Sequence, residues 1–267
     1  MLIDCTIGFN EIDLFELRIA ELEDVVDTFV VVEATHTHSG QPKPLYFTEW
    51  YKDNPRHNVI IHVWDNANMH DPWQRENYQR ETIGYVLKSL SVSRDTIIML
   101  SDMDEIPKAS SLHNFIYEYW DNASDGVNQT ITDGVYRFEQ DLSYGHFNTT
   151  EGKWNGTKIF RYDQIDWNVE KVLTDFVRYR PEHMIAGTIK DGGWHFSSCG
   201  GTDKVRYKFD SYAHTEMALK SNEDIQDSLD NALQPFSKQP LTVQSIDFLP
   251  EHVKRNLDTY RKYIYNG

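Results

Sequence analysis

Apolar and polar positions alternate along the first third of the chain in two distinct rhythms. From Asn10 to Asp27, Ile12, Phe15, Ile19 and Leu22 recur at three- and four-residue spacing with acids on the opposite face, which predicts an amphipathic helix. Phe29-Val-Val-Val-Glu33 is a continuous β-branched run and predicts a strand buried on both faces, as in a parallel sheet. Thr35 to Pro44, with Gly40 and Pro42, reads as a polar loop. Val59 to Val63 is a second expected strand, Trp73 to Leu90 a long helix carrying Glu76, Arg80 and Glu81, and Thr96 to Leu100 a third apolar strand. Strand, helix and strand with short joins is the βαβ pattern of an open α/β sheet.

The second half is less regular. Val135 to Leu142 and Thr157 to Tyr162 read as strands around Gly-containing turns, and Lys190 to Gly201 as a turn-rich segment. Glu223 to Leu233 and Glu251 to Tyr265 read as closing helices, with Pro235 and Pro240 in the loop between them. No repeat, low-complexity run or Pro/Gly-rich linker divides the chain, so one domain over residues 1–267 is expected.

Composition narrows the function. The 267 residues carry 26 Lys and Arg against 42 Asp and Glu, a net charge of −16, which disfavours nucleic acid and anionic lipid as partners. Aromatic residues make up 13% of the chain, against the composition of disordered segments. The tyrosines and tryptophans are mostly core residues, though some are suited to stack on sugar rings. No stretch approaches the ~20 apolar residues that span a bilayer. The N-terminus has no basic region, and Asp4, Glu11 and Asp13 interrupt its apolar residues, so a soluble, cytoplasmic protein is expected. Cys5 and Cys199 are expected to be buried free thiols. Sequons at Asn122, Asn128, Asn148 and Asn155 are expected to be unused.

Chemistry concentrates just beyond the third strand. Asp102 and Asp104 lie in Ser101-Asp-Met-Asp-Glu-Ile-Pro107, at the carboxyl end of a buried strand where open α/β sheets bind ligands. Extended backbone puts alternate side chains on one side, and two adjacent carboxylates repel unless a cation joins them. Hard divalent ions such as Mn²⁺ and Mg²⁺ take oxygen ligands and share them with substrate phosphates. Asp-x-Asp in this place therefore points to a metal holding a diphosphate. His195, in Gly-Gly-Trp-His-Phe, lies among glycines that admit close backbone approach and is a candidate third metal ligand. His36 and His38 have ligand-like spacing, but no Cys or further His lies near to complete a tetrahedral zinc site.

Five blocks in order resemble glycosyltransferase family 17. They are Asn10-Glu-Ile-Asp-Leu-Phe-Glu-Leu-Arg18, Asp24-Val-Val-Asp-Thr-Phe-Val-Val-Val-Glu33, Gly40-Gln-Pro-Lys-Pro-Leu-Tyr-Phe47, Ile97 to Pro107, and Gly193-Trp-His195. The resemblance spans about residues 4–217, with a weaker echo in the last helix. It implies a GT-A type fold: a Rossmann-like, mostly parallel sheet flanked by helices, its donor-binding half at about 1–107 and its acceptor-binding half at about 108–267. It also implies a divalent metal, a UDP-sugar donor expected to be UDP-GlcNAc, a glycan acceptor, and inversion at the anomeric carbon, as in β-1,4-N-acetylglucosaminyl transfer. The metal ligands would be Asp102, Asp104 and His195; Glu33, Thr35, Arg80, Asp102, Trp194 and Lys208 would contact the donor.

The likeness has gaps. Val135 to Asn155 matches poorly, so the acceptor is not carried over. Animal members have an N-terminal membrane anchor and a lumenal stem that this chain lacks, so a bacterial or viral source is expected. Single displacement needs an acid that takes the acceptor's proton; Asp191 is the first candidate, with Glu139 and Asp141 as others. Two further functions compete. A metal-dependent sugar-phosphate nucleotidyltransferase would add a Gly-rich phosphate loop near the N-terminus, where Gly8 stands alone. A non-catalytic glycan-binding module would use the aromatics and need no metal.

Overall fold

The computed structural model describes residues 1–117, 134–211 and 221–267. Its centre is a parallel sheet of four strands, β1 (Leu2–Gly8), β2 (Thr28–Ala34), β3 (Val59–Trp64) and β4 (Ile97–Asp102), in the order β3-β2-β1-β4. The apolar run of β2 is buried on both faces as expected. Phe29 and Val31 join the apolar cluster on one side of the sheet, and Val30 and Val32 the cluster on the other.

The central strand β1 was not predicted. Leu-Ile-Asp-Cys-Thr-Ile-Gly carries Asp4 and Thr6, which break its apolar pattern, yet both are buried between β2 and β4. A carboxylate in a sheet interior survives only with a partner. That partner is Arg18, on helix α1 (Ile12–Leu22), which is itself fully buried. Its Nε and Nη2 donate to the two oxygens of Asp4, Nη2 also donates to Ser101 Oγ, and Nη1 donates to Glu105 O at 2.6 Å. One guanidinium thus ties α1 to β1, to the end of β4 and to the short strand β5 (Glu105–Pro107).

The remaining strands extend the sheet beyond β4. β7 (Thr149–Arg161) pairs antiparallel with β4, and β6 (Val135–Tyr144) pairs antiparallel with β7. β9 (Gly193–Ser197) runs parallel to β6 and antiparallel to β5, while β8 (Ile185–Ile189) and β10 (Thr242–Val243) pair with β6 and β7. The chain is therefore α/β with a mixed, mostly parallel sheet that draws strands from both halves.

Helices cover both faces. α1, α2 (Tyr46–Asp53) and α4 (Ala109–Ile116) lie on one, with Phe15, Phe47 and Leu112 in its core. α3 (Pro72–Ser89) lies on the other with Ile83, Val86 and Leu87, beside a π-helix over Val172–Arg178. α3 starts where Asp71 accepts from Gln74 N at 2.8 Å and Pro72 takes the first turn. α5 (Thr202–Ser211) and α6 (Asn222–Asp230) pack together, and the expected last helix is broken into α7 (Glu251–Arg255), α8 (Leu257–Tyr260) and a 3₁₀ turn. The turn-rich segment contains β9, which begins at Gly193 with φ of 119°. A Cβ there would stand 2.2 Å from Ile106 O, so glycine is what lets β9 pair with β5.

Both cysteines are free and buried, as expected. Asn148 is buried, its amide donating to Gln244 O and Tyr265 O; Asn122 and Asn128 lie outside the described residues.

Arg18→Met should lower unfolding free energy by ~3–5 kcal/mol, because it strands Asp4 as an unpaired buried charge. Asp4→Leu combined with Arg18→Met should recover part of that loss, measured by urea denaturation. A second buried charge, Lys158 of β7, donates to the carbonyls of Asn155 and Gly156. Burial, with the positive Arg178 adding to it, pushes the Lys158 ammonium down to about 8. The unfolded chain keeps this proton to about pH 10.4. Between those values the unfolded state binds more protons, so the lysine's contribution to stability rises with pH. That rise, read by urea denaturation from pH 7.5 to 9.5, should be absent in Lys158→Met.

Candidate active site

Connections from β1 through β2 to β3 move one way across the sheet, and α3 then carries the chain back to β4 on the other side of β1. The strand order reverses between the carboxyl ends of β1 and β4, where an open α/β sheet leaves a crevice for ligand. A cavity of about 670 Å³ opens there. Its wall includes Gly8 and Phe9 after β1, His36 and His38 after β2, and Asp102 and Asp104 after β4.

The acid pair reaches this cavity by a different geometry from the one expected. β4 ends at Asp102, and Met103 and Asp104 form a turn before β5, so alternation along a strand is not what aligns the two carboxylates. Both still face the cavity, and each has cations of its own. Asp102 accepts from Arg80 Nη2 at 2.9 Å and from Arg178 Nη2 at 2.7 Å. Burial alone would raise its carboxyl, but the two guanidiniums outweigh that and hold it at about 2. Asp104 accepts from Lys208 Nζ at 2.6 Å and lies 3.4 Å from His195 Nε2. Here too burial is outweighed, and Lys208 and His195 keep the carboxyl well below the usual range.

Arg178 is a cavity-lining residue that sequence reasoning missed. It ends the π-helix, a rare form that recurs at functional sites. Glu81 of α3 fixes the start of that helix by accepting from Leu173 N and Thr174 N at 3.2 and 2.6 Å. Arg178 then spans Asp102 and the fully buried Glu105, whose two oxygens it meets at 2.8 and 2.9 Å. Glu105 also accepts from Trp154 Nε1 at 2.6 Å and from Asp102 N at 3.2 Å. No local pattern marks Arg178, because its partners lie 73 and 76 residues away. Arg80 Nη1 and His195 Nδ1 are buried without a hydrogen-bond partner among the described residues.

The other expected site residues divide sharply. Lys208 and His195 line the cavity, and Arg80 adjoins it through Asp102. Glu33 does not: it is buried, accepts from Phe47 N and from Thr48 N and Oγ1 at the start of α2, and pairs with Lys43. Its location at the end of β2 is as expected, but its oxygens hold a helix start. Thr35 donates to Asp65 Oδ1 at 2.7 Å and so pins the loop that carries His36, without lining the cavity itself. Trp194 is buried in the core, its Nε1 donating to Phe248 O at 2.9 Å, because β9 turns it away from His195. Asp191 is 71% exposed and ion-paired to Lys108, outside the cavity wall. Glu139 and Asp141 likewise pair outward, with Lys190 and Lys153. None of these three acids is placed to take a proton from a group in the cavity. His36 and His38 both line it; His38 Nε2 lies 3.1 Å from Gln79 Oε1, whose amide donates to Gly8 O and Val32 O.

The donor set bears on a metal as follows. Among the described residues no three His, Cys, Asp or Glu side chains converge as ligands, and both oxygens of Asp102 are taken by arginines. Asp104 Oδ1 and His195 Nε2 remain, 3.4 Å apart. That is longer than a charge-assisted hydrogen bond and close to the ~3 Å between neighbouring ligands in an octahedral shell of radius ~2.1 Å. A divalent ion that keeps water and borrows phosphate oxygens needs only one or two protein ligands. The pair fits such an ion; the trio with Asp102 does not.

The profile of glycosyltransferase family 17 matches residues 1–236. Over 121 residues the chain is 33% identical to human beta-1,4-mannosyl-glycoprotein 4-beta-N-acetylglucosaminyltransferase and 33% identical to its rat counterpart. The matched part is 42% of this chain but only 23% of the human and 22% of the rat protein, so the chain spans less than a quarter of these relatives. They are mammalian and lend no support to the bacterial or viral source expected above. Among the described residues no helix is long and apolar enough to cross a membrane.

Proposed function

The chain belongs to glycosyltransferase family 17, and we propose that it moves GlcNAc from UDP-GlcNAc to a hydroxyl of a glycan acceptor, with inversion, on a GT-A type fold. One observation carries this reading: at the switch point of the sheet, an acid pair faces the cavity with Arg80, Arg178 and Lys208 bonded directly to it. Those cations suit a diphosphate that gains negative charge as it leaves. The nucleoside would lie over the ends of β1 and β2, where Phe9, His36 and His38 line the wall.

Asp104 and His195 would hold a Mn²⁺ or Mg²⁺ ion, which when bound supplies Lewis-acid stabilisation of the leaving diphosphate. Asp102 has a different task. It keeps Arg80 and Arg178 side by side, and with Glu105 it prevents two buried guanidiniums from repelling each other apart. Lys208, on α5, brings a further positive charge from the second half of the chain. For the acceptor proton we assign Glu11 as base in place of Asp191. Of the acids lining the cavity, Asp102 and Asp104 are committed to cations, and Glu76 lies with Arg80 and His38. Glu11 has one oxygen bonded to Phe9 N and Asn10 N, and the other 4.0 Å from Lys208, beside Asp104.

Purified protein should hydrolyse UDP-GlcNAc slowly in Mn²⁺ without an acceptor, and UDP should raise its melting temperature only when the metal is present. Asp104→Ala should abolish both effects. Turnover retained by that variant, or UDP binding indifferent to EDTA, would refute the metal's place. Glu11→Gln should lower kcat with an acceptor by ~10²-fold or more while UDP affinity stays within about twofold; equal losses in both would assign Glu11 to donor binding instead.

A further inference from the structure

Trp154 is a large, partly exposed side chain of the cavity wall that is nevertheless held rigidly. It lies in the part of β7 where sequence resemblance is poorest, is 37% exposed, and lines the cavity. An indole left half open to water is ordinarily free to turn. This one is not, because its Nε1 donates to the buried Glu105 carboxylate at 2.6 Å. Its ring also rests against the imidazole of His195, with centroids 5.2 Å apart and planes inclined at 52°.

The backbone beneath it is bare. A Cβ on Gly156 would stand 2.1 Å from Gln140 Oε1, 2.8 Å from Trp154 Cδ1 and 3.0 Å from Glu105 Cδ. Any other residue at 156 would push apart the amide, the indole and the carboxylate that meet there. Gln140 is itself buried and anchored, donating to Trp194 O and accepting from Thr157 N. Core packing would not require such an arrangement for a ring that remains partly in solvent. It holds an apolar plate at a fixed angle in the wall of a polar cavity.

We propose that Trp154 is a stacking platform for a pyranose ring bound beside Asp104 and His195. A pyranose has an apolar face of C–H groups and a rim of hydroxyls, and so asks for an aromatic plane with polar groups around it. Tyr144, Ser197 and Gln234 also line the cavity and can meet the rim. The place along the sheet fits a sugar better than a base. β7 lies on the far side of β4 from β1 and β2, so the platform is separated from the proposed nucleoside end by the acid pair. Glu105, which grips Arg178 with the same carboxylate, is the positioning residue that fixes platform and guanidinium relative to each other.

This inference rests on the transferase reading, and the test separates the two. Saturation-transfer NMR is run with UDP, with UDP-GlcNAc, and with methyl glycosides of glucose, mannose, galactose and N-acetylglucosamine, in diamagnetic Mg²⁺. Wild-type protein should transfer saturation to pyranose protons of at least one sugar probe. Trp154→Ala should weaken that probe at least tenfold, with UDP affinity changed less than about twofold, and Trp154→Phe should fall between. Loss confined to the sugar protons and KM of UDP-GlcNAc assigns the platform to the transferred sugar. Loss confined to a methyl glycoside assigns it to the acceptor. If every sugar probe binds Trp154→Ala as well as wild type, or none binds wild type, or UDP is lost in parallel because the indole stacks on uracil, the platform is overturned. Should Trp154→Ala fail to fold, the same criteria apply to Trp154→Leu, which fills the site without an aromatic plane. Failure of wild-type protein to bind UDP would sink the transferase reading alone, since the methyl glycosides still report on the indole.

Discussion

Buried carboxylates within β1 and just beyond β4 impose the constraint around which this protein is organised. Asp4, Asp104 and Glu105 are almost entirely out of solvent, and Asp102 is the last residue of β4. In a chain of net charge −16, such a cluster would repel itself apart and resist desolvation unless each member had a cation. The fold supplies one from a different element each time: Arg18 from α1, Arg80 from α3, Arg178 from the π-helix and Lys208 from α5. Removing one partner from such a pair costs far more than the pair itself contributes, because the survivor stays buried and unpaired. The same pairings that close the fold therefore also fix the geometry of the cavity wall.

A strongly acidic protein can in this way still present a locally positive cavity wall. The overall charge describes the surface, whereas any group entering the cavity would meet the local field. At the end of β4 the two aspartates hold Arg80, Arg178 and Lys208 in place without cancelling their donors, since a guanidinium has five N–H groups and an ammonium three. Three carboxylate oxygens hold Arg178 while part of its five N–H set stays uncommitted to them, so its charge is rigid without being cancelled. Rigid charge of this kind needs little reorganisation when a leaving group becomes more negative.

Local sequence signals revealed the elements whose burial is uniform and concealed those whose burial is mixed. β2 was legible because Phe29 to Val32 present apolar side chains to both faces. β1 was not, because Asp4 looks like a surface residue until Arg18, fourteen positions later, is seen beside it. The Asp-x-Asp pair was legible from the strand before it, although a turn rather than strand alternation aligns it. His195 was found from its glycine-rich surroundings and Lys208 through its family position, and both reach the cavity. Trp194 and Glu33 had the same warrant but point elsewhere, Trp194 into the core and Glu33 onto the start of α2. A match in position does not fix which way a side chain faces when neighbours in a strand alternate. Asp191 had no partner argument behind it, and the structure gives it an exposed ion pair. Arg178 and Trp154 left no local trace, since both depend on Glu105, 73 and 49 residues away.

The mixed sheet is what brings these distant residues together. Had β7 continued the parallel order, its carboxyl end would have met the cavity, and a crossover helix would have covered the space beside β4. Running antiparallel to β4 and turning back into a long pairing with β6, it carries Trp154 at its middle past the end of β4. β9 returns parallel to β6, where Leu142 pairs with His195, and antiparallel to β5, where Glu105 pairs with the same histidine. One register thus sets Glu105 against His195 in the backbone, while the Glu105 side chain reaches Trp154 and Arg178. A slip of one residue between β5 and β9 would turn His195 to the opposite face and put a core tryptophan in its place. Gly193, which alone tolerates the close approach to Ile106 O at the start of that pairing, protects the register. The cavity wall formed by β5, β7 and β9 is therefore as firmly specified as the parallel core, although its sequence carries fewer signs of it.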